Sequence, residues 1–485
     1  MKLSSAQLDR AIGVVVASAA GDALGAGYEF APIPDGLVPE MIGGGLGNFE
    51  PGEWTDDTAQ AMAIAAVAAD GLDLRTPEAL DRIAQGFADW YANGPADVGF
   101  QTAEVLRLAG RTPTGAEMAH AARRVHERRG RSAGNGSLMR TGPVALAHLD
   151  DPDALVEAAM AVSALTHHEV VAQEACAVWC LMIRHAVLHG TLPSWPDIEP
   201  WSPKPTYWGD VLSQAETLAP SAFTNNAWAV GALQAAWSAV HHTPVPAPNS
   251  CAHLVDALGT AIRIGNDTDT VAAIAGALIG ARWGASAVPA RWRRILHGWP
   301  GATAKGLEKV GHLAATRAEP GHHGWPMIDH IDYTGWQAGG TTLVRHPHDP
   351  GVWLSDATAL SELPAEVDAV VSLCLVGRRQ IPDHIESVGF RLIDMVDPTA
   401  NPNLDFTIRD AAETIAALRA EGKTVLLHCV AAQSRTPTVG AAYSMLRGVD
   451  DDRALAEVCS ALPRAHPNRA FRTALKRLAD KEIRD

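Results

Sequence analysis

Apolar residues recur three and four positions apart through most of the first 317 residues of the chain. This period is typical of amphipathic helices, and alternating strand patterns are nearly absent here. The predicted helices span residues 59–69, 78–91, 115–128, 153–162, 169–188, 226–241, 252–263 and 271–282. They are rich in Ala and Gly, with Gly276 and Gly280 four residues apart, so we expect closely packed helices in an all-α domain.

The pattern changes after residue 318. Residues 319–349, which include Gly339 and Gly340, are rich in Gly, His and Pro, as is typical of a linker. Residues 367–375 and 423–428 are short apolar runs of the kind that buried parallel strands show, and residues 406–420 are predicted to form the helix between them. The sequence therefore predicts a multidomain chain: an all-α domain at 1–318, a linker at 319–349 and a small α/β domain at 350–485.

Composition and charge narrow the classes of protein. The chain has 485 residues, of which 47% are hydrophobic and 19% charged, enough for sizeable globular cores. Its net charge of -16 would repel a phosphate backbone, so nucleic acid is not an expected partner. The six cysteines are scattered without the short spacing of a zinc site, which fits a reducing compartment.

A membrane is not an expected partner either. No stretch reaches the roughly 18 to 20 uninterrupted apolar residues that a span needs. Lys2 and Arg10 precede an apolar run at residues 11–20, which imitates a secretory signal. Because that run leads directly into a motif at residues 21–25 that cleavage would damage, we expect a cytoplasmic protein.

Two segments place hydroxyl and carboxylate oxygens side by side just before a predicted helix. They are residues 53–58 (Glu-Trp-Thr-Asp-Asp-Thr) and 265–270 (Gly-Asn-Asp-Thr-Asp-Thr). Helix capping explains either one alone, since Asp and Thr are favoured at helix N-termini. Two such clusters in one all-α domain instead favour hard divalent cations, which take oxygen ligands.

Six motifs in this part of the chain resemble the ADP-ribosylglycohydrolase family. They are Gly-Asp-Ala-Leu-Gly at 21–25 with Glu29-Phe30, Trp-Thr-Asp-Asp-Thr at 54–58, Asp-Val-Gly at 97–99, Gly-Asn-Gly-Ser-Leu-Met-Arg at 134–140 with Pro143, Thr-His at 166–167, and Asn-Asp-Thr-Asp-Thr at 266–270. The resemblance covers residues 1 to about 315. It implies an all-α fold with a binuclear Mg²⁺ or Mn²⁺ centre, hence two ions, at the base of a cleft for ADP-ribose.

The resemblance also implies roles for individual positions. Those that match the family's metal ligands are Thr55, Asp56, Asp57, Asp267, Asp269 and Thr270. Glu29 and Asp97 match acidic positions that act near the scissile ribose bond or hold the substrate. The positions that match the wall facing the phosphates and the ribose are Asn135, Gly136, Ser137, Met139 and His167. For Glu29 and His167 an ordinary structural role is the alternative, and residues 21–25 could simply let helices approach.

The site has a coherent chemistry. Cleavage at the anomeric carbon of ribose builds oxocarbenium character, which carboxylates stabilise, and a divalent ion orients ribose hydroxyls and activates water. Gly136 and Ser137 offer backbone N–H groups and a hydroxyl to a diphosphate, and Asn135 could reach sugar hydroxyls.

A second constellation lies in the predicted α/β domain. Residues 426–437 are predicted to form a strand that ends in His428-Cys429, then a loop, then a helix with Pro437 in its first turn. Such a loop converges backbone N–H groups on an anion, and Arg435 and the helix N-terminus would favour a Cys429 thiolate that attacks phosphorus. Thr436 could hydrogen-bond that thiolate.

His-Cys followed by five residues and Arg-Thr resembles the cysteine-dependent tyrosine and dual-specificity phosphatases. By resemblance, Asp397 is the general acid, with Asp394 in reserve. The family usually has Gly three residues after the Cys, where this chain has Ala432, so a distorted phosphate cradle is possible. A working phosphatase, a phosphate-binding remnant and a structural Cys all remain open.

The two sets of motifs together predict a bifunctional hydrolase. It takes ADP-ribose from an ADP-ribosylated protein or a small ADP-ribose derivative, and its second domain takes a phosphorylated substrate. The alternatives are an ADP-ribose reader without turnover, for which complete metal ligation would have no use, and a hydrolase of free ADP-ribose derivatives with an inactive second domain.

Overall fold

The computed structural model describes residues 1–34, 36–336 and 341–482. The chain divides into two compact units: Met1–Val288 with Trp292–Glu319, and Pro320–Asp485 with Pro289–Arg291. Gly339 and Gly340 of the predicted linker lie outside the described residues.

The first unit is mostly helical, and the strands found in its described residues form one short hairpin, β1 (His297–Gly298) with β2 (Ala302–Thr303). Each of the eight predicted ranges falls on a helix, so the all-α expectation is confirmed. The helices are α1 (Ser5–Gly25), α2 (Asp56–Ala69), α3 (Pro77–Ala92), α4 (Phe100–Ala109), α5 (Gly115–Arg129), α6 (Gly142–Ala147), α7 (Pro152–Ala164), α8 (Val170–His189), α9 (Pro205–Thr217), α10 (Ala229–His242), α11 (His253–Arg263), α12 (Thr268–Trp283), α13 (Ala290–Arg293) at the division between the units, and α14 (Ala304–Thr316).

Helices α1 and α12 pack against each other at backbone distance in the centre of this unit. A Cβ atom on Gly280 would lie 2.1 Å from the carbonyl oxygen of Gly13, and one on Gly25 would lie 2.4 Å from the Cα of Asp269. Only glycine permits such an approach. The expectation that the glycines of α12 and of residues 21–25 let helices come close is therefore met, and the contact brings the end of α1 against the start of α12.

Two helices are long and apolar enough to cross a membrane by length and composition alone, Ser5–Tyr28 and Val170–His189. In their most apolar windows 89% and 72% of the residues are buried inside the structure. Burial to this extent is also what core helices show, because such helices are apolar all round.

The second unit is a five-stranded sheet with helices against it. The strand order is β3-β4-β7-β5-β6, and only β3 runs antiparallel to its neighbour. The elements are β3 (Leu343–His346), β4 (Asp349–Asp356), β5 (Ala369–Ser372), β6 (Glu386–Gly389), α15 (Leu404–Ala420), β7 (Val425–Cys429), α16 (Arg435–Leu446), α17 (Asp451–Ala461) and α18 (Arg469–Glu482). The predicted strands are β5 and β7, which pair in parallel with α15 between them, so the small α/β region is confirmed.

The predicted linker differs from the structure over its last part. Strand β3 lies inside residues 319–349, and β4 begins at Asp349. The His-Pro-His-Asp-Pro run at 346–350 forms the tight connection between these two strands. A proline-rich turn and a proline-rich linker look alike in sequence, because only pairing with distant β7 makes β4 an interior strand.

Candidate active site

The N-termini of α2 and α12 converge on one group of buried carboxylates. Oxygens of Asp22, Asp57 and Asp269 lie within 4.8 Å of one another. The hydroxyls of Thr55 and Thr270 both donate to Asp57 Oδ2, at 3.2 and 3.3 Å. Since the N-terminal end of a helix carries partial positive charge, both helices favour anions at this point.

Asp22 is a member of this group that the sequence motifs contained but did not single out. It is fully buried near the end of α1 and accepts hydrogen bonds from the Thr55 backbone N–H at 2.9 Å, the Thr58 N–H at 3.0 Å and the Thr58 hydroxyl at 2.6 Å. It thereby holds the first turn of α2 against α1. The signal was an aspartate inside a glycine-flanked apolar helix, where a charge needs partners.

A second group contains Glu29, Asp267 and Asp269, whose oxygens again lie within 4.8 Å of one another. The loop with Glu29 is tied to the start of α12, because the Phe30 N–H donates to the Asn266 carbonyl at 2.7 Å. Phe30 and Asn266 both have positive φ, 48° and 61°. Left-handed backbone at non-glycine residues is costly and persists where the surroundings impose it, as at functional sites.

Asp267 is oriented by amide side chains. Asn135 Nδ2 donates to Asp267 Oδ2 at 2.8 Å and to the Asn226 carbonyl at 2.9 Å. Asn226 in turn accepts from the Asp267 N–H at 3.3 Å. The Asn135 amide, expected to reach sugar hydroxyls, is thus used to position a carboxylate, and Asn226 is a partner that the sequence analysis missed.

The capping alternative holds for one cluster only. The Thr55 hydroxyl accepts from the Asp57 N–H at the start of α2, as a helix cap does. Asp267, which precedes α12, makes no such bond with its side chain. The acidic residues at 267–269 therefore need a reason other than capping.

Burial and, after it, mutual repulsion raise the pKa values of these carboxylates. Burial, followed by the charge of Asp267, raises the pKa of Glu29 to about 8. Burial, followed by neighbouring carboxylates, raises the pKa of Asp56 to about 8 as well and holds those of Asp57 and Asp269 well above the usual range. Such a site gains most from a cation that neutralises it.

The donor set fits a divalent cation. Asp57 Oδ1 is buried without a hydrogen-bond partner among the described residues, although an unpaired buried carboxylate oxygen is costly. The carboxylates of Asp22 and Asp269 and the hydroxyls of Thr55 and Thr270 lie beside Asp57, and such oxygens are the ligands that Mg²⁺ and Mn²⁺ prefer. The acidic groups could therefore hold metal.

Removal of metal is expected to make the stability of this unit depend on pH. The pKa of Asp56 is raised from 3.8 to about 8, and that of Glu29 from 4.5 to about 8. Between these values the unfolded chain releases protons that the folded chain keeps, so in chelator the free energy of unfolding falls as pH rises from about 4 to about 8. Denaturant titrations at several pH values measure this, and Mg²⁺ is expected to flatten the fall. Equal slopes with and without Mg²⁺ would contradict the prediction.

Asp97 and the expected ligand wall lie beside this centre. The charge of Asp97 raises the pKa of both Glu29 and Asp56, and Met139 Sδ lies 3.8 Å from the Thr270 hydroxyl oxygen. The Ser137 hydroxyl differs from expectation, since it is buried and its oxygen accepts from the Ser163 hydroxyl at 2.8 Å.

The Cys loop of the second unit joins β7 to α16. Cys429 ends β7 and is buried, and Arg435 begins α16. Arg435 Nη1 donates to the carbonyls of Leu373 at 2.8 Å and Leu392 at 3.1 Å, while its buried Nε has no partner among the described residues. A fixed guanidinium whose buried Nε–H has no partner among the described residues is suited to an anion.

The other predicted residues of this loop are used differently. The Thr436 hydroxyl donates to the Ser355 carbonyl at 3.3 Å, so its proton is not directed at Cys429. Asp397 is exposed and accepts from the N–H and the hydroxyl of Thr399, at 2.9 and 2.8 Å, which lowers its pKa. A general acid needs the opposite shift, so the structure lends this role no support.

Ala432 has a φ of 51°, the left-handed conformation that glycine adopts more readily. The expected effect of alanine at this position is therefore backbone strain. An L-residue in this conformation costs roughly 1–2 kcal/mol.

Ala432→Gly is expected to leave the free energy of unfolding nearly unchanged. Two effects of glycine destabilise the fold: its greater freedom in the unfolded chain costs about 0.4–1 kcal/mol, and the lost burial of a methyl group costs about 0.8 kcal/mol. Relief of the backbone strain offsets them. Ala431→Gly is the matched control, since Ala431 has no positive φ to relieve, and it is expected to destabilise by about 0.4–1 kcal/mol. Denaturant unfolding measures the stability of both variants. An equal loss of unfolding free energy in the two would show that the backbone at Ala432 is not strained.

The helical unit thus has two acidic groups that share Asp269 and meet at the N-termini of α2 and α12, which makes a carboxylate-rich centre suited to a cation. A sequence model described as ADP-ribosylglycohydrolase matches residues 3–322. The chain belongs to the ADP-ribosylglycohydrolase family. It is thus a hydrolase that acts on glycosidic bonds to ADP-ribose.

Several characterised relatives are similar to this chain. ADP-ribosylarginine hydrolase Tri1 of Pseudomonas putida (strain GB-1) is 29% identical over 341 residues, 67% of this chain and 81% of that protein. ADP-ribosyl-(dinitrogen reductase) glycohydrolase of Rhodospirillum rubrum is 28% identical over 293 residues, 59% of this chain and 89% of that protein. ADP-ribosylhydrolase ARH3 of Homo sapiens is 26% identical over 339 residues, 60% of this chain and 90% of that protein.

Solved structures are similar to separate parts of the chain. One described as an ADP-ribosylglycohydrolase-related protein complex has 26% identity and a TM-score of 0.49, covering 65% of this chain and all of that one. The structure of human DUSP28 has 25% identity and a TM-score of 0.27, covering 30% of this chain and 97% of that one. Both scores are below 0.5, so the family assignment rests on the sequence match.

Proposed function

We propose that the first unit removes ADP-ribose from ADP-ribosylated protein at a divalent-metal centre. The observation that carries this proposal is the convergence of Asp22, Asp57 and Asp269, with Glu29 and Asp267 beside them, in a member of this family. The relatives named ADP-ribosylarginine hydrolase favour an arginine linkage.

The metal would be held by the two acidic groups. Its ligands would come from Thr55, Asp56, Asp57, Asp267, Asp269 and Thr270. When bound, Mg²⁺ or Mn²⁺ supplies orientation of the ribose hydroxyls and a lowered pKa of bound water.

The residues of the chain itself supply charge and a proton. The carboxylates around Asp269 stabilise positive charge that develops on the ribose as the glycosidic bond breaks. Glu29 is half-buried beside them, and burial, the largest cause of its raised pKa, does not depend on the carboxylate charges that a cation would neutralise. We assign it the transfer of a proton at the leaving atom, a task that a group with a pKa near the working pH does best.

The test is release of free ADP-ribose from arginine-linked and serine-linked ADP-ribosylated proteins, with Mg²⁺, with Mn²⁺ and with chelator. Metal-dependent release from the arginine-linked panel is the expected result. Binding of ADP-ribose without release from any substrate would instead support a reader. Cleavage of free ADP-ribose derivatives alone would move the substrate from protein to small molecule.

For the second unit we propose a cysteine-dependent phosphatase. The supporting observation is the loop between Cys429 and Arg435, in which the Arg435 side chain is fixed by two carbonyls and keeps one N–H group without a partner among the described residues. A phosphate-binding remnant is the alternative, favoured by the strained backbone of Ala432 and the lowered pKa of Asp397.

A further inference from the structure

Arg140 is a buried cation in the first unit that the site described above does not use. It is 1% exposed, and its guanidinium carbon lies 4.2 Å from the centre of the Phe87 ring. Both of its hydrogen-bonded neighbours, Gln60 and Thr166, are uncharged. Burying an arginine away from a carboxylate is expensive, and an apolar side chain would fill the space at lower cost. Its presence therefore calls for a role beyond packing.

Gln60 and Thr166 connect Arg140 to two different parts of the site. Nη1 donates to Gln60 Oε1, and Gln60 Nε2 donates to Asp56 Oδ2 at 2.9 Å. Nη2 donates to the Thr166 hydroxyl oxygen at 2.6 Å, and that oxygen lies 2.8 Å from His167 Nδ1. One guanidinium is thus linked both to the acidic centre and to the expected ligand wall.

Because arginine only donates, it sets the direction of every hydrogen bond beyond it. The Gln60 carbonyl must face Arg140, so its amide N–H group must face Asp56. The Thr166 oxygen accepts from Arg140, and its own proton has His167 Nδ1 as its one acceptor among the described residues. If Nδ1 carried the proton instead, the buried hydroxyl proton of Thr166 would have no acceptor, which is costly.

His167 is therefore the neutral tautomer with its proton on Nε2. Neutrality is supported by burial, followed by the charge of Arg140, which lowers the pKa of His167 to about 3. Nε2 lies against the loop that starts at Gly134, where a Cβ atom on Gly134 or Gly136 would come within 3.5 Å of it. His167 is buried, and its Nε2 has no hydrogen-bond partner among the described residues; glycine at both positions keeps side chains away from it.

We propose that Arg140 is a positioning residue that, through Thr166, holds His167 as an Nε2–H donor for an oxygen of ADP-ribose at the loop of Gly134 and Gly136. Through Gln60 the same side chain holds Asp56 in its orientation. The ligand half of this inference rests on the proposed function, whereas the tautomer is a property of the chain itself.

The experiment compares Thr166→Val with Thr166→Ser in the full-length chain. Valine keeps the volume of threonine and removes the hydroxyl, and serine does the opposite. Histidine ¹⁵N chemical shifts report the tautomer, with His167→Gln identifying the His167 signals. We expect Nε2–H in the parent and in Thr166→Ser. In Thr166→Val the tautomer should stay the same, but the ¹⁵N shift of Nδ1 should change because that atom loses its hydrogen-bond donor.

The second readout is binding of ADP-ribose by calorimetry with Mg²⁺ present. Loss of the hydrogen bond that orients the His167 ring is expected to weaken binding about fivefold to tenfold in Thr166→Val, and Thr166→Ser should stay within about twofold of the parent. A role in packing alone predicts the reverse order, since valine fills the space better than serine.

Separate outcomes overturn separate steps. An Nδ1–H tautomer in the parent, or an unchanged Nδ1 shift in Thr166→Val, overturns the relay from Arg140. Equal affinity of the parent and Thr166→Val overturns His167 as the donor. A parent chain that does not bind ADP-ribose overturns the proposed function together with the ligand half, and leaves the tautomer result standing.

Discussion

Asp269→Asn is expected to abolish release of ADP-ribose and, at the same time, to raise the melting temperature of the metal-free protein. Asp269 belongs to both acidic groups, so its loss affects every cation that they could hold. Even the outer partners of metal ligands change affinity or activity about 10-fold to 100-fold, so we expect a fall of at least about 100-fold here.

The gain in stability has an electrostatic cause. Burial, followed by the charges of Asp57 and Asp267, which repel its own, raises the pKa of Asp269 well above the usual range. An amide of the same shape removes that repulsion. Thermal unfolding with chelator and with Mg²⁺ measures both effects: the variant should unfold at a higher temperature than the parent in chelator, and should lose the stabilisation that Mg²⁺ gives the parent.

Asp9→Asn is the matched control. Asp9 is also a buried carboxylate, but it lies on α1 and does not belong to the acidic groups. It accepts hydrogen bonds from the N–H and the hydroxyl of Ser286. Its loss is expected to lower the melting temperature and to leave the Mg²⁺ response intact. Parent-like turnover by Asp269→Asn would show that the metal proposal is wrong.

Cys429→Ser is expected to abolish hydrolysis of an aryl phosphate by the second unit and to leave ADP-ribose release unchanged. In the proposed step the thiolate sulfur forms a bond to phosphorus as the bond to the aryl oxygen breaks, and water then cleaves the phosphoenzyme. A serine hydroxyl is not ionised at neutral pH and is a poor substitute, so we expect a fall of at least about 10³-fold.

Cys374→Ser is the control for a general effect of cysteine loss. Cys374 follows β5, and its Sγ lies 3.9 Å from His428 Nδ1. Burial raises its pKa to about 12, so it stays a thiol and its replacement should spare the activity. Aryl phosphate turnover at several substrate concentrations measures both variants. Activity retained in Cys429→Ser would exclude this thiol as the nucleophile, and a parent that binds phosphate without turnover would indicate the remnant.

The sequence by itself determined the helices of the first unit, the βαβ element of the second and the chemistry of the acidic centre. Helix and strand periods are local, because they reflect which side of each element meets the core. The acidic residues could be found for a different reason: Asp-Thr clusters as dense as those at 55–58 and 267–270 have few uses other than capping and metal binding.

Only the tertiary structure decided how these residues are used. Thr270 donates to Asp57 across 213 positions of the chain, and Asp22 joins them because Gly25 lets α1 meet α12 at backbone distance. The inward turn of the Ser137 hydroxyl and the two bonds of Arg140 likewise depend on partners distant in sequence. Hydrogen-bond partners are chosen by packing between elements, which no local pattern of apolar and polar residues records.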